Sequence, residues 1–318
     1  MTGGAGFIGS HLVDRLMSEG YRVLVLDNLS SGSLNNIKLW LDNPKLNFIK
    51  GDLKDRRTVE ESLDEVDLVF HFAANPEVRV DEVEPSIHFD ENLVATFNLL
   101  EAMKNSKARA IIFASTSTVY GEASVFPTPE DYGPMHPIST YGASKLGCES
   151  LVCSYAHLYG LRGLIFRFAN IVGSRANHGI IIDFIGKLRE NPRQLEILGD
   201  GSQKKSYLHI SDCIDAVLHA TCAFLNNQKK IEVYNVGSTD QVTVRRIAEI
   251  VAEETAFVGV KFFFTGGVDG GRGWLGDVKT MLLDVRRLRK LGWKPRYSST
   301  EAVKIATREI WKGIKTLS

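Results

Sequence analysis

The glycine-rich segment at the start of the chain is the feature that most limits how this sequence can fold. Residues 2–10 read TGGAGFIGS, which contains GxGxxG from Gly4 and GxxGxxG from Gly3. In such a loop one glycine makes a tight turn, another lets the backbone approach a pyrophosphate, and the third lets the following helix pack closely. Taken alone, the segment could also be a flexible terminus, and the residues that follow it decide between the two.

The segments after the loop favour a nucleotide site. A helical run, SHLVDRLMSEG, is followed by a strand-like run that ends at Asp27, 18 residues after Gly9. A carboxylate at this point can accept hydrogen bonds from the adenosine ribose and would repel a 2′-phosphate, so NAD is favoured over NADP. Asp52 and Leu53 end the next strand, where the carboxylate can bind the adenine amino group or cap a helix.

Alternating strand and helix patterns predict the fold class. Helical patterns over 10–18 and 92–105 lie between near-continuous apolar runs at 21–27, 46–53, 67–74, 108–115 and 163–168. Such runs are typical of buried parallel strands, so we expect an α/β fold with a doubly wound parallel Rossmann sheet. Residues 1–169 would form an NAD-binding domain, to which about 207–237 return. Residues 170–318 would form a smaller, nucleotide-sugar-binding α/β part.

The position of the glycine loop predicts a gap in this sheet. Such a loop should follow a buried strand of about five apolar residues at the centre of the sheet. Only Met1 precedes Thr2 here, so the neighbouring strands would have unpaired backbone groups. We expect the first strand to be missing or truncated, or the gap to hold another segment. A longer form should be more stable and bind NAD better.

The composition excludes several classes of protein. Lys plus Arg and Asp plus Glu both total 38, so overall charge gives no attraction for nucleic acid or for an anionic membrane. No apolar run is long enough to span a membrane, and the first residues do not resemble a signal peptide. We expect a cytoplasmic protein without a metal site, since none of its four cysteines forms a CxxC pair: Cys148, Cys153, Cys213 and Cys222.

A tyrosine and a lysine are the candidate catalytic pair. Tyr141 and Lys145 are four residues apart and therefore share a helix face. A nearby cation lowers the pKa of a tyrosine, which could then act as a general acid and base near neutral pH. The same spacing could be an ordinary surface pair. The strand that ends in residues 115–118, STST, favours the catalytic interpretation, because ligands bind at the carboxyl ends of parallel strands.

Ordered motifs along the whole chain carry a resemblance to a known family: TGGAGFIGS, LDNLSSG, HFAA, STSTVYG, YGASK, RFANIVG and GDGSQKKSYLHISD. On these motifs the chain resembles extended short-chain dehydrogenases/reductases, and among them the archaeal type of UDP-glucose 4-epimerase. The resemblance implies interconversion of UDP-glucose and UDP-galactose, or of a related nucleotide sugar, through a transient 4-keto intermediate with retained NAD. It also implies a homodimer formed by the helices over 91–105 and 141–159.

The resemblance also implies roles for individual residues. It gives catalytic roles to Thr116, Tyr141 and Lys145. It implies contacts to NAD for Gly3, Gly6, Phe7, Ile8, Gly9, Asp27, Asn28, Ser30, Ser31, Gly32, Asp52, Leu53, Phe72, Ala73, Ala74, Asn92, Ser115, Tyr141, Lys145 and Phe168. It implies contacts to the nucleotide sugar for Thr116, Ser117, Tyr141, Asn170, Lys205, Arg272 and Asp277, of which Asn170 would contact the diphosphate and Asp277 the uridine ribose.

One position separates this chain from its neighbours in the superfamily. Nucleotide-sugar 4,6-dehydratases and decarboxylases typically carry a glutamate two residues after the catalytic threonine, where this chain has Thr118. Removal of water needs an additional acid and base that a threonine cannot supply, so epimerisation is favoured. A dehydratase, a decarboxylase, a 4-ketoreductase and a non-catalytic dinucleotide-binding regulator remain the alternatives.

The chain departs from the family pattern mainly in its substrate half. Lys205 and Trp274 stand where arginines are usual, which leaves Arg272 as a candidate for gripping the diphosphate. Lys205 and Arg272 could also be solvated loop charges. Met281 leaves acceptance of N-acetylated sugars undecided, because methionine is bulky but pliant. In the first half, Asn75 begins the Asn-Pro pair that replaces a usual lysine.

Overall fold

The structure, a computed structural model, describes residues 1–77 and 84–317. Contacts within the chain divide it into two compact units, each built from three segments. The first unit consists of Met1–Val119, Ser139–Arg167 and Val217–Tyr234. The second unit consists of Tyr120–Ile138, Phe168–Ala216 and Asn235–Ser318.

The first unit has the predicted parallel sheet with helices between its strands. Its strands are β1 (Val23–Asp27), β2 (Leu46–Lys50), β3 (Leu68–His71), β4 (Ala110–Thr116), β5 (Arg162–Phe168) and β10 (Ile231–Val236). Its helices are α1 (Phe7–Ser18), α2 (Arg56–Ser62), α3 (Ser86–His88), α4 (Ala95–Lys104), α5 (Thr140–Leu158) and the later part of α7 (Ile210–Leu225). β1 pairs with β2 and β3 with β4, both in parallel, and the order of the larger group is β10-β5-β4-β3.

Met1 and Thr2 lie in the slot at the centre of this sheet. Thr2 forms parallel bridges to Leu26 of β1 and to His71 of β3. The Thr2 amide donates to the Phe70 carbonyl at 2.9 Å, and the Leu26 amide donates to the Met1 carbonyl at 2.9 Å. These two residues therefore join β1 to β3 near the carboxyl ends of both strands, where the glycine loop begins.

The core of the first unit follows from the apolar runs. β4 is buried along almost all its length because its sequence, AIIFAST, presents apolar residues on both faces. Its Ile111 and Phe113 pack in one cluster with Leu99 and Leu100 of α4 and Val152 of α5. The helix predicted over 92–105 differs in its first turns, because Phe89–Val94 is a π-helix and α4 begins at Ala95.

Side-chain bonds to one carbonyl accompany the π-helix. The carbonyl of Asn92 accepts the Thr96 hydroxyl at 2.6 Å and the Cys148 thiol at 3.4 Å. Side chains that insert into the main-chain ladder of a helix widen the local turn. The apolar periodicity of the segment shows a helix but carries no information on this widening.

The second unit has small sheets and its own core. Its elements are β6 (Asn170–Val172), α6 (Ile180–Glu190), β7 (Gln194–Ile197), β8 (Lys204–Lys205), β9 (Tyr207–His209), the start of α7, β11 (Val242–Thr243), α8 (Val244–Thr255), β12 (Lys261–Phe264), β13 (Thr280–Met281), α9 (Arg286–Lys290) and α10 (Ser299–Leu317). β6 pairs with β9, β7 with β12, and β8 lies between β11 and β13. Buried apolar residues of α6, α8 and α10 pack together in the core of this unit. In the part of the chain that the structure describes, no helix is long and apolar enough to cross a membrane.

Candidate active site

The glycine loop packs so tightly that side chains are excluded at two of its positions. Gly3 has a φ of +67°, and a Cβ there would lie 2.6 Å from the Ala73 amide nitrogen. A Cβ on Gly9 would lie 2.1 Å from the Gly3 carbonyl oxygen. The Gly6 amide donates to that same oxygen at 3.2 Å and closes the turn. The spacing read from the sequence therefore corresponds to real steric demands.

The loop leads directly into a helix terminus that suits an anion. α1 begins at Phe7, and its N-cap residue, Gly6, supplies no side-chain capping bond. A Cβ on Gly6 would meet only the Gly3 carbonyl, at 3.3 Å, so the approach to the first turn is open. Amide groups at a helix N-terminus bind phosphate through hydrogen bonds and the helix dipole. Gly6, Phe7, Ile8 and Gly9 are therefore suited to hold a pyrophosphate.

Asp27 is fixed at the end of β1 by the loop itself. Its Oδ2 accepts the Ala5 amide at 2.9 Å and its Oδ1 accepts the Leu29 amide at 2.8 Å. A Cβ on Gly32 would lie 3.1 Å from Oδ1, so this glycine leaves room beside the carboxylate. A carboxylate can accept about four hydrogen bonds. Asp27 thus keeps acceptor capacity for the two ribose hydroxyls of a dinucleotide.

Asp52 lies near Asn28 and does not cap a helix. The Asn28 amide group donates to Asp52 Oδ2 at 3.1 Å, and the Lys54 amide donates to Oδ1 at 2.8 Å. The N-cap of α2 is Asp55, whose side chain accepts the Arg57 amide. The capping role considered for Asp52 is therefore wrong, and its position beside Asn28 at the ends of two adjacent strands leaves the adenine contact as the prediction.

Tyr141, Lys145 and Thr116 come together where β4 meets α5. Tyr141 is hydrogen-bonded to the Thr116 side chain. The Lys145 ammonium lies 4.2 Å from the centre of the Phe113 ring, and its side chain is buried. The pair is therefore not an ordinary surface pair. Ser117 and Thr118 begin a 3₁₀ turn after β4, and the Thr118 hydroxyl donates to the Thr116 oxygen at 3.1 Å.

The pKa of Tyr141 differs from the sequence expectation. Burial raises the pKa of Tyr141 to about 12, although the hydrogen bond from Thr116 opposes this rise. Burial lowers the pKa of Lys145 to about 8, while Cys148 and Glu149 oppose that fall. The expected lowering of the tyrosine pKa is thus absent in the chain alone, because desolvation of the phenol dominates.

Buried networks behind the site escaped the sequence interpretation. His71 contacts the Thr2 hydroxyl through Nδ1 at 2.7 Å and the Thr96 hydroxyl through Nε2 at 2.9 Å. Burial lowers the pKa of His71 to about 3, so it stays neutral in the core. Asn92 accepts the Asn75 amide at 2.8 Å and donates to the Ser144 hydroxyl at 3.0 Å.

The remaining predicted cofactor residues are distributed along the strand ends of the first unit and the loops after them. Leu53 is buried and its carbonyl accepts the Asn98 side chain at 3.0 Å. The Ser30 amide donates to the Asn28 side chain at 3.0 Å. Ser31 follows β1, Ser115 lies near the end of β4, Phe168 ends β5, and three residues follow β3: Phe72, Ala73 and Ala74.

In the second unit, the predicted substrate residues form ion pairs with their neighbours. Lys205 Nζ lies 2.5 Å from Asp277 Oδ1, and the Gly273 amide donates to Asp277 Oδ2 at 3.1 Å. Arg272 lies 2.5 Å from Glu122 Oε1 and donates to the Asp277 carbonyl at 2.9 Å. Lys205 and Arg272 are therefore not solvated loop charges. A ligand would have to displace these bonds or bind to the donors and acceptors that they leave unused.

Two other substrate-half residues are placed by short strands. Asn170 begins β6, and its side-chain amide donates to the Ser206 carbonyl at 3.3 Å. Met281 ends β13 and is buried. The four cysteines of the chain are all free thiols, and Cys148 and Cys213 are buried. Within residues 1–77 and 84–317, no cluster of three or more His, Cys, Asp or Glu could hold a metal ion.

The fold and the side chains of the first unit define a class of protein, the dinucleotide-dependent enzymes of the short-chain dehydrogenase/reductase type. The glycine loop fits a dinucleotide because its backbone packs closely and leaves the helix N-terminus open. Asp27 fits because its carboxylate can still accept hydrogen bonds from a ribose. The chain belongs to the NAD dependent epimerase/dehydratase family, whose sequence model matches residues 1–237. NAD is the cofactor of this family.

Known proteins are similar over almost the full length of the chain. A putative UDP-glucose 4-epimerase of Methanocaldococcus jannaschii is 36% identical over 310 residues, covering 96% of this chain and 95% of that protein. A crystal structure of a UDP-galactose 4-epimerase is 46% identical, with a TM-score of 0.88 and 98% of each chain covered. A UDP-glucose 4-epimerase of Thermotoga maritima, solved with UDP-glucose, is 32% identical, with a TM-score of 0.86 and coverage of 100% and 98%. Other 4-epimerases and a 4,6-dehydratase share the fold.

Proposed function

We propose that this protein is a UDP-hexose 4-epimerase that interconverts UDP-glucose and UDP-galactose while retaining NAD. The observation that carries the proposal is the group of buried Thr116, buried Lys145 and partly buried Tyr141, with a neutral Thr118 beside it. Epimerisation at C4 needs one residue that removes and returns a proton. The similarity to 4-epimerases over nearly the whole chain supports the same activity.

The residues of this chain would hold NAD and move one proton. The glycine loop would bind the pyrophosphate and Asp27 the adenosine ribose, and Lys145 would bind the nicotinamide ribose. Bound NAD supplies a reversible two-electron acceptor for the sugar carbon. Tyr141 would take the proton of the C4 hydroxyl. It would return the proton after the 4-keto sugar has rotated to present its opposite face. Thr116, bonded to the phenol, would share the hydrogen bonds of that hydroxyl.

The high pKa of the Tyr141 phenol sets a condition on this chemistry. In the chain alone burial keeps the phenol protonated at neutral pH, since its pKa is about 12. A base that works near pH 7 needs a lower pKa. We infer that the positive charges that meet at the occupied site, from Lys145 and from the cofactor ring, favour the phenolate and remove this penalty.

Thr118 distinguishes the epimerase from the enzymes that eliminate water or carbon dioxide. Its hydroxyl donates to Thr116, and its amide donates to the same oxygen at 3.2 Å. A residue held in this way orients Thr116 but has no carboxyl group for proton transfer at C5 or C6. This supports the epimerase over a dehydratase or a decarboxylase.

The activity can be tested with purified protein, stoichiometric NAD and UDP-galactose. Chromatography of the nucleotide sugars should show UDP-glucose, and the same equilibrium mixture should form from either sugar. NAD should remain unconsumed. The Tyr141→Phe variant, which keeps the ring and removes the hydroxyl, should form no UDP-glucose at the same protein concentration. Loss of water, release of carbon dioxide or stoichiometric formation of NADH would instead identify one of the alternative enzymes.

We also propose that the enzyme is a cytoplasmic homodimer that pairs through α4 and α5. Leu158 at the end of α5 is 69% exposed and Tyr159, which follows it, is 46% exposed, while Leu151 of α5 and Leu93 in the π-helix before α4 are only partly buried. Exposed apolar groups of this size are typical of interfaces. Light scattering should give twice the mass of the chain. A monomer at concentrations that support turnover would contradict the dimer but not the chemistry.

A further inference from the structure

A buried ion pair lies directly behind the predicted catalytic residues of the first unit. Arg167 Nε donates to Glu149 Oε1 at 3.0 Å, and its Nη2 donates to Oε2 at 2.7 Å. The Ser115 hydroxyl donates to the same Glu149 Oε1. All three residues are at least nine-tenths buried. Since none of the roles given to Thr116, Tyr141 or Lys145 uses this pair, it needs an explanation of its own.

The pair is a poor candidate for a purely stabilising element. Two buried charges lose their hydration, and their attraction often does no more than balance that loss. Apolar residues of similar volume would fill the same space at no greater cost. Arg167 contacts both carboxylate oxygens through two of its nitrogens, and such a two-pronged contact fixes geometry as well as charge.

The position of Glu149 on α5 links the pair to the site. Tyr141, Lys145 and Glu149 follow one another at intervals of four residues, so they lie along one face of the helix. Ser115 and Thr116 are adjacent at the end of β4. Thr116 contacts Tyr141, and Ser115 contacts Glu149 about two helical turns further along. Two contacts at this separation fix both the position of α5 along its axis and its rotation about that axis relative to β4.

We propose that Glu149, bonded to Ser115 and Arg167, is a positioning residue that holds α5 on β4 so that Thr116 and Tyr141 meet. This inference rests on the proposed function, since it assigns Tyr141 and Thr116 to the reaction. Glu149 touches neither substrate nor cofactor in this assignment. It acts through Ser115, whose hydroxyl is occupied by the carboxylate.

The charge of Glu149 has a second, measurable consequence. It raises the pKa of Lys145 against the larger effect of burial, which lowers that pKa to about 8. The other titratable groups near Lys145 are Tyr141 and Cys148 on α5 and His71 on β3, and the Phe113 ring of β4 faces its ammonium. Removal of the Glu149 charge should therefore lower the pKa of Lys145 further.

The first experiment replaces Ser115, because this leaves the ion pair intact. Ser115→Ala should reduce kcat for UDP-galactose about 10- to 100-fold, since small displacements of reacting groups have effects of that size. KM and Tm should stay close to those of the unchanged enzyme. NAD content should also stay close, because the Ser115 hydroxyl is bonded to Glu149, which leaves the main chain of Ser115 for the predicted contact with NAD. Ser115→Thr keeps the hydroxyl and should restore most of kcat. An unchanged kcat in Ser115→Ala, or a kcat loss that follows loss of NAD, would overturn the proposal.

The second experiment needs no sugar substrate. In protein labelled with ¹³Cε-lysine, the Lys145 signal, assigned with Lys145→Arg, should titrate about one pH unit lower in Glu149→Gln than in the unchanged chain. Glu232→Gln is the matched control, because Glu232 is a buried glutamate of the same unit that bonds Lys229, Asn227 and Tyr234. Glu232→Gln should leave the titration unchanged.

The outcomes separate the two proposals. If the pKa of Lys145 is the same in Glu149→Gln and Glu232→Gln, the charge of Glu149 does not act on Lys145 more than that of another buried glutamate. Should Glu149→Gln fail to fold, Ser115→Ala decides the matter alone. If the unchanged protein does not convert UDP-galactose, the proposed function falls. The titration then still tests whether Glu149 controls the charge of Lys145.

Discussion

At the scale of single residues, Gly9 shows how function overrides local preference. It lies in the first turn of α1, where alanine would ordinarily favour the helix over glycine. A Cβ there would lie 2.1 Å from the Gly3 carbonyl oxygen, which belongs to the loop backbone and cannot rotate away. We expect Gly9→Ala to lower Tm by several degrees and to weaken NAD binding at least about 10-fold. Calorimetry measures both.

Gly186 provides the control for this prediction. It lies inside α6, and a Cβ at this position would meet no atom within 4 Å other than the backbone of its own helix. Gly186→Ala should therefore stabilise the protein by about 0.5–1 kcal/mol and leave NAD affinity unchanged. If the two alanine variants behave alike, the close packing of the glycine loop does not explain why Gly9 is there.

We expect the buried ammonium of Lys145 to be needed for activity and to destabilise the folded protein. Its pKa falls from 10.5 to about 8 on folding, so below pH 8 the folded protein holds a charge that burial disfavours. Lys145→Met should abolish turnover yet raise the free energy of unfolding at pH 7 by an amount on the order of 3 kcal/mol. Between pH 8 and 10.5 the folded protein loses this proton first, so the gain should shrink and vanish above that range.

Chemical denaturation at pH 7, 9 and 10.5 measures this difference directly. Lys187→Met is a suitable comparison, since Lys187 is a partly exposed helix lysine paired with Asp183. A stabilisation seen in Lys145→Met and not in Lys187→Met would belong to the burial of Lys145 and not to the loss of a lysine in general. A constant difference between Lys145→Met and the unchanged protein at all three pH values would mean that packing, rather than charge burial, determines the stability of the variant.

Which site residues could be predicted depends on sequence distance. Tyr141 and Lys145 share one helix, and the glycines and Asp27 share one strand–helix unit, so fixed spacings reveal them. Ser115 and Arg167 meet Glu149 across 34 and 18 residues of chain. Contacts of that kind depend on how helices and strands pack. The same holds for the high pKa of Tyr141, which depends on burial that no spacing shows.

At the scale of elements, the strands were predicted well, but two of their ends and the interruption of a helix were not. The runs at 21–27, 108–115 and 163–168 correspond to β1, β4 and β5 within two residues, whereas β2 and β3 end three residues before the runs at 46–53 and 67–74 do. The π-helix at Phe89–Val94 escaped prediction, since the bonds of Thr96 and Cys148 to one carbonyl depend on the folded arrangement. A helix of either kind gives the same apolar pattern.

At the scale of the whole molecule, the division into units was the least visible feature in the sequence. Residues 120–138 belong with the later part of the chain because Thr128 bonds Leu282, Asp284 and Asn235. Nothing in the local pattern of this segment, which is rich in proline and glycine, indicates such partners. Long-range bonds of loops are set by tertiary packing, whereas the alternating strands and helices of a Rossmann sheet carry their fold class in the sequence.

The two separate cores predict separate responses to ligands. The cluster of the first unit includes Leu26 and Phe113, close in sequence to the predicted NAD residues, and the cluster of the second includes Val242 and Tyr207. A ligand at 100 times its Kd adds about 2.7 kcal/mol to the state that binds it. NAD alone should therefore slow amide hydrogen exchange in β1, α1 and β4 by up to about 100-fold. UDP alone should slow it mainly around Lys205 and Asp277. Mass spectrometry of exchanged peptides resolves the two patterns. If NAD protected the peptides around Asp277 more than those of the glycine loop, the assignment of the two ligands to their residues would be wrong.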